Sequence, residues 1–137
     1  MGLACAAMGI AALIQGCAPQ QRPASTTRLF ATDQMGGAKS CNVPKVDAAA
    51  GKETAASMTV GNDGGWCAIS VDNGGHPYAA GLLSGRPQHG RVFIHSVGDA
   101  TRIDYTPERG YAGADTFSVR LLPGDAVIRT NVTVQPG

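Results

Sequence analysis

The last third of the chain alternates apolar and polar residues with a period of two, and that period belongs to a half-buried β-strand rather than to a helix. Phe117, Val119 and Leu121 interleave with Thr116, Ser118 and Arg120, and Ile128, Thr130, Val132 and Val134 interleave with Arg129, Asn131 and Thr133. Between the two runs, Pro123-Gly124-Asp125 supplies the residue types of a hairpin turn. Ile103 and Tyr105 share a face over 102–106. Met58 and Val60 share one ahead of the turn Gly61-Asn62-Asp63-Gly64-Gly65, and Cys67, Ile69 and Val71 share one that ends at Asp72-Asn73-Gly74-Gly75. A weaker segment over 79–83 precedes Ser84-Gly85-Arg86-Pro87. The run 91–96 is β-rich, with either Val92 and Ile94 or Phe93 facing inward. About seven short strands set off by turns, each with one polar face, predict an all-β fold, an antiparallel sandwich. Past residue 16 no stretch carries a helical apolar stripe, and Gly51 breaks the alanine-rich segment 48–56.

Composition agrees. The chain has 19 glycines among 137 residues, roughly twice the usual share, as turn-rich chains do. Its formal net charge is +1, with neither the basic patch that grips a phosphate backbone nor an acidic tract, so nucleic acid is not an expected partner.

Residues 1–16 carry no charge and are shorter than the roughly 20 apolar residues that span a bilayer. Their length and small-residue ending suit a signal peptide. The run Leu13-Ile14-Gln15-Gly16-Cys17 resembles the lipobox of bacterial lipoproteins. The resemblance implies removal of 1–16, acylation of Cys17 as the new N-terminus, and attachment to a membrane through that lipid; the other readings are cleavage without lipid and a short buried apolar segment. Residues 17–40 hold Pro19, Pro23, Ser25, Gly36 and Gly37 and few large apolars, the composition of a flexible tether. The folded domain is then 41–137.

Four cysteines are present. With Cys5 in the signal and Cys17 assigned to lipid, Cys41 and Cys67 remain as a pair in an oxidising compartment. A structural disulfide between them is the expectation. Neither lies in a Cys-x-x-Cys or at ligand spacing from a His, as a zinc site would need.

The segment Pro87-Gln88-His89-Gly90-Arg91-Val92 is followed by Tyr105-Thr106-Pro107, then Gly110-Tyr111-Ala112-Gly113, then Asp115-Thr116-Phe117. In order and spacing this resembles the bacterial Ig-like, cadherin-like repeats of large surface adhesins. The resemblance covers 79–134 and implies an extracytoplasmic immunoglobulin-like β-sandwich serving as spacer, adhesion or binding module. Its motif residues His89, Gly90, Tyr105, Pro107, Gly110, Gly113, Asp115 and Phe117 have structural explanations. Pro107 restricts φ at a strand end, the glycines allow tight turns, Tyr105 and Phe117 supply core surface, and Asp115 accepts backbone N–H bonds.

Candidate sites are few. Asn62 to Trp66 and Asn73 to Tyr78 are polar loops that each end in an aromatic, which makes Trp66 and Tyr78 candidate contacts for a glycan, peptidoglycan included, or for a protein; the other reading packs Trp66 over the disulfide. His76, His89 and His95 match no zinc spacing. Asp63, Asp72, Asp99, Asp104, Asp115 and Asp125 are scattered, so Ca²⁺ could be held only if loops converge. No nucleophile elbow is present, and neither a cofactor, a metal nor catalytic residues are expected. The chain therefore reads as a non-enzymatic envelope module, periplasmic or on the cell surface, whose partner is an envelope or surface protein or a glycan; a small envelope enzyme ranks behind both.

Overall fold

The computed structural model describes residues 29–137; the expected signal segment 1–16, Cys17 and the expected tether up to residue 28 lie outside the described residues. A one-turn helix, α1 (Ala31–Gln34), is followed by β1 (Cys41–Asn42), β2 (Glu53–Asn62), β3 (Cys67–Val71), β4 (Ala80–Gly85), β5 (Gly90–Val97), β6 (Ala100–Pro107), β7 (Gly113–Leu122) and β8 (Ala126–Pro136). They form a five-stranded sheet, β1-β2-β8-β7-β4, and a three-stranded sheet, β3-β6-β5. The protein is an all-β sandwich with one shared core.

Period-two patterning decides what lies between the sheets. Met58 and Val60 of β2, Phe117, Val119 and Leu121 of β7, and Ile128, Val132 and Val134 of β8 face Cys67, Ile69 and Val71 of β3 and Ile103 and Tyr105 of β6. Burying each such side chain contributes about 1.5–3 kcal/mol. In β5, Val92 and Ile94 pack on this core and Phe93 points out, 61% exposed, which settles the facing that the sequence left open. The β7–β8 hairpin closes through Pro123, Gly124 and Asp125, with Gly124 and Asp125 at positive φ.

Two features depart from expectation. There are eight strands rather than about seven, because β1 adds two residues to the edge of β2, Cys41 opposite Val60, and two residues carry no readable period. The sandwich is also not antiparallel throughout. β2 runs parallel to β8 along its whole length, Glu53 beside Val127 through Asn62 beside Pro136. Alternation within a strand reports its faces and is blind to the direction of its neighbour.

The cysteine pair is bonded. Cys41 on the edge of the five-stranded sheet joins Cys67 at the start of β3, with Cα atoms 5.4 Å apart, so the disulfide ties one sheet to the other. Such a bond is compatible with an exported protein. Among the described residues no helix is long and apolar enough to cross a membrane.

The described end of the expected tether is not free coil. From α1 onward the chain lies against Trp66, the residue just ahead of β3. Ala38 N–H donates to the Trp66 carbonyl at 2.8 Å and Trp66 N–H to the Gly36 carbonyl at 3.1 Å. The glycines that suggested flexibility instead occupy a defined backbone: Gly36 takes the left-handed region at φ 79° and Gly37 forms a parallel bridge with Trp66.

Candidate functional site

The outer face of the three-stranded sheet carries a polar cluster where alternation alone would place solvated side chains. Arg102 and Asp104 on β6 point away from the core yet are only 8% and 6% exposed. Arg102 grips Asp104 through two bonds, Nε to Oδ1 at 2.7 Å and Nη2 to Oδ2 at 3.0 Å, and donates a third to the carbonyl of Asp33. His95 of β5 places Nε2 3.0 Å from Asp104 Oδ2. The Trp66 ring covers the guanidinium at 4.1 Å, while its Nε1 donates to the Met35 carbonyl at 2.8 Å. Buried charge is tolerated here because Asp104 is paired with Arg102 and His95, and the strap of residues 33–38 adds the Asp33 carbonyl as a further acceptor for Arg102. Beyond His95 stands the Phe93 ring, 4.6 Å between centroids.

At one end of this face lies a groove of about 750 Å³. Its walls are the end of β2 at Asn62 with Asp63 and Gly64 of the β2–β3 loop, and the β6–β7 loop, with Glu108, Arg109 and Gly110; its floor is Gly90 and Arg91 of β5 with Thr106 and Pro107 of β6. Asn62 fastens the end of β2 to the β6–β7 loop, its Nδ2 donating to the carbonyls of Glu108 at 2.7 Å and Tyr111 at 2.9 Å. Asp63 accepts from the Lys39 and Gly65 amides at 2.9 and 3.0 Å, and those bonds hold its carboxyl below the ordinary carboxylate range. Glu108 faces His89 Nδ1 at 3.8 Å. The side chains of Arg91 and Arg109, both exposed, have no hydrogen bond or ion pair among the described residues.

The motif residues form the support under this groove. Asp115 accepts N–H bonds from Gln88, His89 and Thr116, each at 2.9 Å, and a bond from the Tyr105 hydroxyl at 2.8 Å. Burial works to raise the carboxyl, but these donors outweigh it and the group is held below its ordinary range. Burial, and then the Asp115 anion, push the Tyr105 phenol well above its ordinary value. His89 stacks on Tyr111 at 4.0 Å. Phe117 lies parallel to Tyr105 at 5.8 Å. Gly90 is required for space: a Cβ there would stand 2.5 Å from Tyr105 Cε2 and 2.8 Å from the Thr106 carbonyl. Gly110 and Gly113 adopt positive φ, 77° and 137°, and Pro107 ends β6.

Trp66 and Tyr78 are not brought together. Trp66 precedes Cys67, which pairs with Tyr105 at one end of β6, whereas Tyr78 bonds through its N–H to Thr101 near the other end. Tyr78 is only 9% exposed and belongs to the core. Trp66 is engaged by Arg102 and the strap. His76, His89 and His95 stand on separate elements, and among the described residues no three His, Cys, Asp or Glu side chains gather to hold a metal. Arg91, Phe93, Arg102 and Arg109 carried no motif; the one signal was Phe93, an aromatic that could not share the core with its neighbours in β5. Compared with family models, curated proteins and solved structures, the chain matches none.

Proposed function

We propose that this protein is an exported cell-envelope module, held at a membrane by a lipid on Cys17, whose sandwich is of the Ig-like type found in adhesin repeats and serves a structural or adhesive role by binding a partner protein. The observation that carries the binding role is Phe93, a large aromatic 61% exposed on β5, the edge of the three-stranded sheet. An apolar ring on an unpaired edge is where a second polypeptide gains most by docking. The inter-sheet disulfide supports the oxidising compartment, and the Asp115–Tyr105 support accounts for the adhesin-like motif as a loop clamp rather than as chemistry. A glycan-binding role through Trp66 and Tyr78 lacks a shared platform, since the two lie toward opposite ends of β6.

The test is made in cells. A photo-crosslinking residue at Phe93 is expected to trap a discrete partner protein, and the same residue at exposed Leu82 on β4 is not. Mass spectrometry of the membrane-extracted chain is expected to find acylated Cys17. Absence of any Phe93-specific adduct would remove the binding role, and an unmodified Cys17 would remove the anchor.

A further inference from the structure

Three properties meet on β5. It is an edge strand, bonded to β6 on one side only, and antiparallel geometry leaves alternate N–H and C=O groups directed away from β6. Its residues Arg91 and Phe93 stand opposite Thr106 and Asp104 of β6, so both project from the outer face, two positions apart. Arg91 also floors the end groove beside Arg109. Of the groove's carboxylates, Asp63 is held by two backbone amides and Glu108 stands 3.8 Å from His89 Nδ1, whereas the two guanidiniums have no partner among the described residues. What this edge and the groove at its end offer is thus a backbone ladder, an exposed apolar ring and two planar cations.

We propose that the open edge of β5 captures an extended acidic peptide of the partner protein by strand addition, with carboxylates received by Arg91 and Arg109 and an apolar side chain seated on Phe93. This rests on the protein-binding role proposed above and gives the partner its chemistry. A strand added beside β5 places residues directly opposite Arg91 and Phe93 on the same face, so the preferred segment reads acid, any residue, apolar. Guanidinium recognises carboxylate through paired N–H donors, which fixes register as well as sign. Backbone bonds to the edge supply affinity that does not depend on side chains.

The full chain is titrated into fluorescein-labelled Thr-Glu-Thr-Leu-Thr-Glu-Thr, whose symmetric pattern serves either strand direction, and into the same peptide with lysine in place of glutamate. The glutamate peptide is expected to bind roughly tenfold or more tighter than the lysine peptide at low salt. Arg91→Glu is expected to reverse that preference, and Phe93→Ser to weaken both peptides; both positions are exposed, so unchanged thermal melting accompanies both. Amide exchange is expected to slow along 90–97 when the glutamate peptide binds. Equal binding of the two peptides, an Arg91→Glu chain that keeps the original preference, or protection confined to 107–110 overturns the proposal. So does polygalacturonate bound more tightly than the peptide, which would make the occupant a glycan. A concentration-dependent dimer abolished by Arg91→Glu, which would make the occupant a second copy of this chain, overturns it too. Peptide failure alongside a persisting Phe93 crosslink in cells discards the acidic strand and leaves the protein-binding role standing.

Discussion

The Arg102 guanidinium lies over the Trp66 ring, 4.1 Å from its centroid, while gripping Asp104 with two of its nitrogens. One side chain therefore joins β6, the start of β3 and, through the Asp33 carbonyl, the N-terminal strap. Lysine keeps the charge but has neither the planar fork nor the stacking face. Arg102→Lys is expected to lower stability by about 1–2 kcal/mol in urea unfolding. Trp66 is the single tryptophan, so its emission should shift to the red at the same time as the strap loosens. Unchanged emission would mean that the strap is held without Arg102.

The disulfide closes a loop with a sequence separation of 26. On the chain-entropy account its removal in Cys41→Ala/Cys67→Ala is expected to cost about 3–4 kcal/mol. In a domain of this size that is a drop of well over 10 °C in melting temperature. Scanning calorimetry of the oxidised and double-substituted chains measures it directly.

Asp115→Asn leaves the amides of Gln88, His89 and Thr116 facing a weaker or wrong partner, an expected loss of about 2–3 kcal/mol at neutral pH. The sign of the pH dependence follows from the carboxyl, which is held below its ordinary value of 3.8 in the folded protein. Its contribution is fully present above that value and fades as pH falls through the lower folded value. The stability gap between the parent chain and Asp115→Asn should accordingly be flat above about pH 5 and narrow below about pH 4. Denaturant titrations of both chains over pH 2.5–7 test this, and a constant gap would contradict it.

Gly90→Ala drives a methyl into the Tyr105 ring and the Thr106 carbonyl, both of which are backbone-anchored or packed. A loss of about 1–3 kcal/mol is expected. Gly64→Ala is the companion measurement: nothing lies within 4 Å of its added Cβ, and its positive φ makes any loss there conformational rather than steric.

Thr130 is fully buried on β8, and among the described residues its Oγ1 is the side-chain atom buried without a hydrogen-bond partner. Valine has the same shape and no hydroxyl to leave unpaired. Thr130→Val is expected to raise stability by about 1 kcal/mol, seen as a higher urea midpoint with an unchanged slope.

The inward faces of β2, β3, β6, β7 and β8 could be read from spacing because a side chain in a strand has only two directions, and burial selects one. The facing of β5 could not: Val92, Phe93 and Ile94 are all apolar, and the choice depended on Ile94 reaching the space beside Gly81. Arg102 and Asp104 occupy positions that alternation assigns to solvent. They are buried because a segment more than 60 residues earlier, Asp33 to Ala38, folds back over them, and no local pattern records that return.

By itself the sequence determined the element type and the inward faces of β2, β3, β6, β7 and β8, and it pointed to Cys41 and Cys67 as a pair. These depend on residue spacing or count, which the chain carries locally. Only the tertiary structure decided that β2 lies parallel to β8, that Trp66 is turned to Arg102 while Tyr78 goes to the core, and that Arg91 and Phe93 share one open edge with Arg109 in the groove at its end. These depend on which strands become neighbours, and neighbours are chosen by the joint burial of two sheets rather than by any residue's own surroundings in sequence.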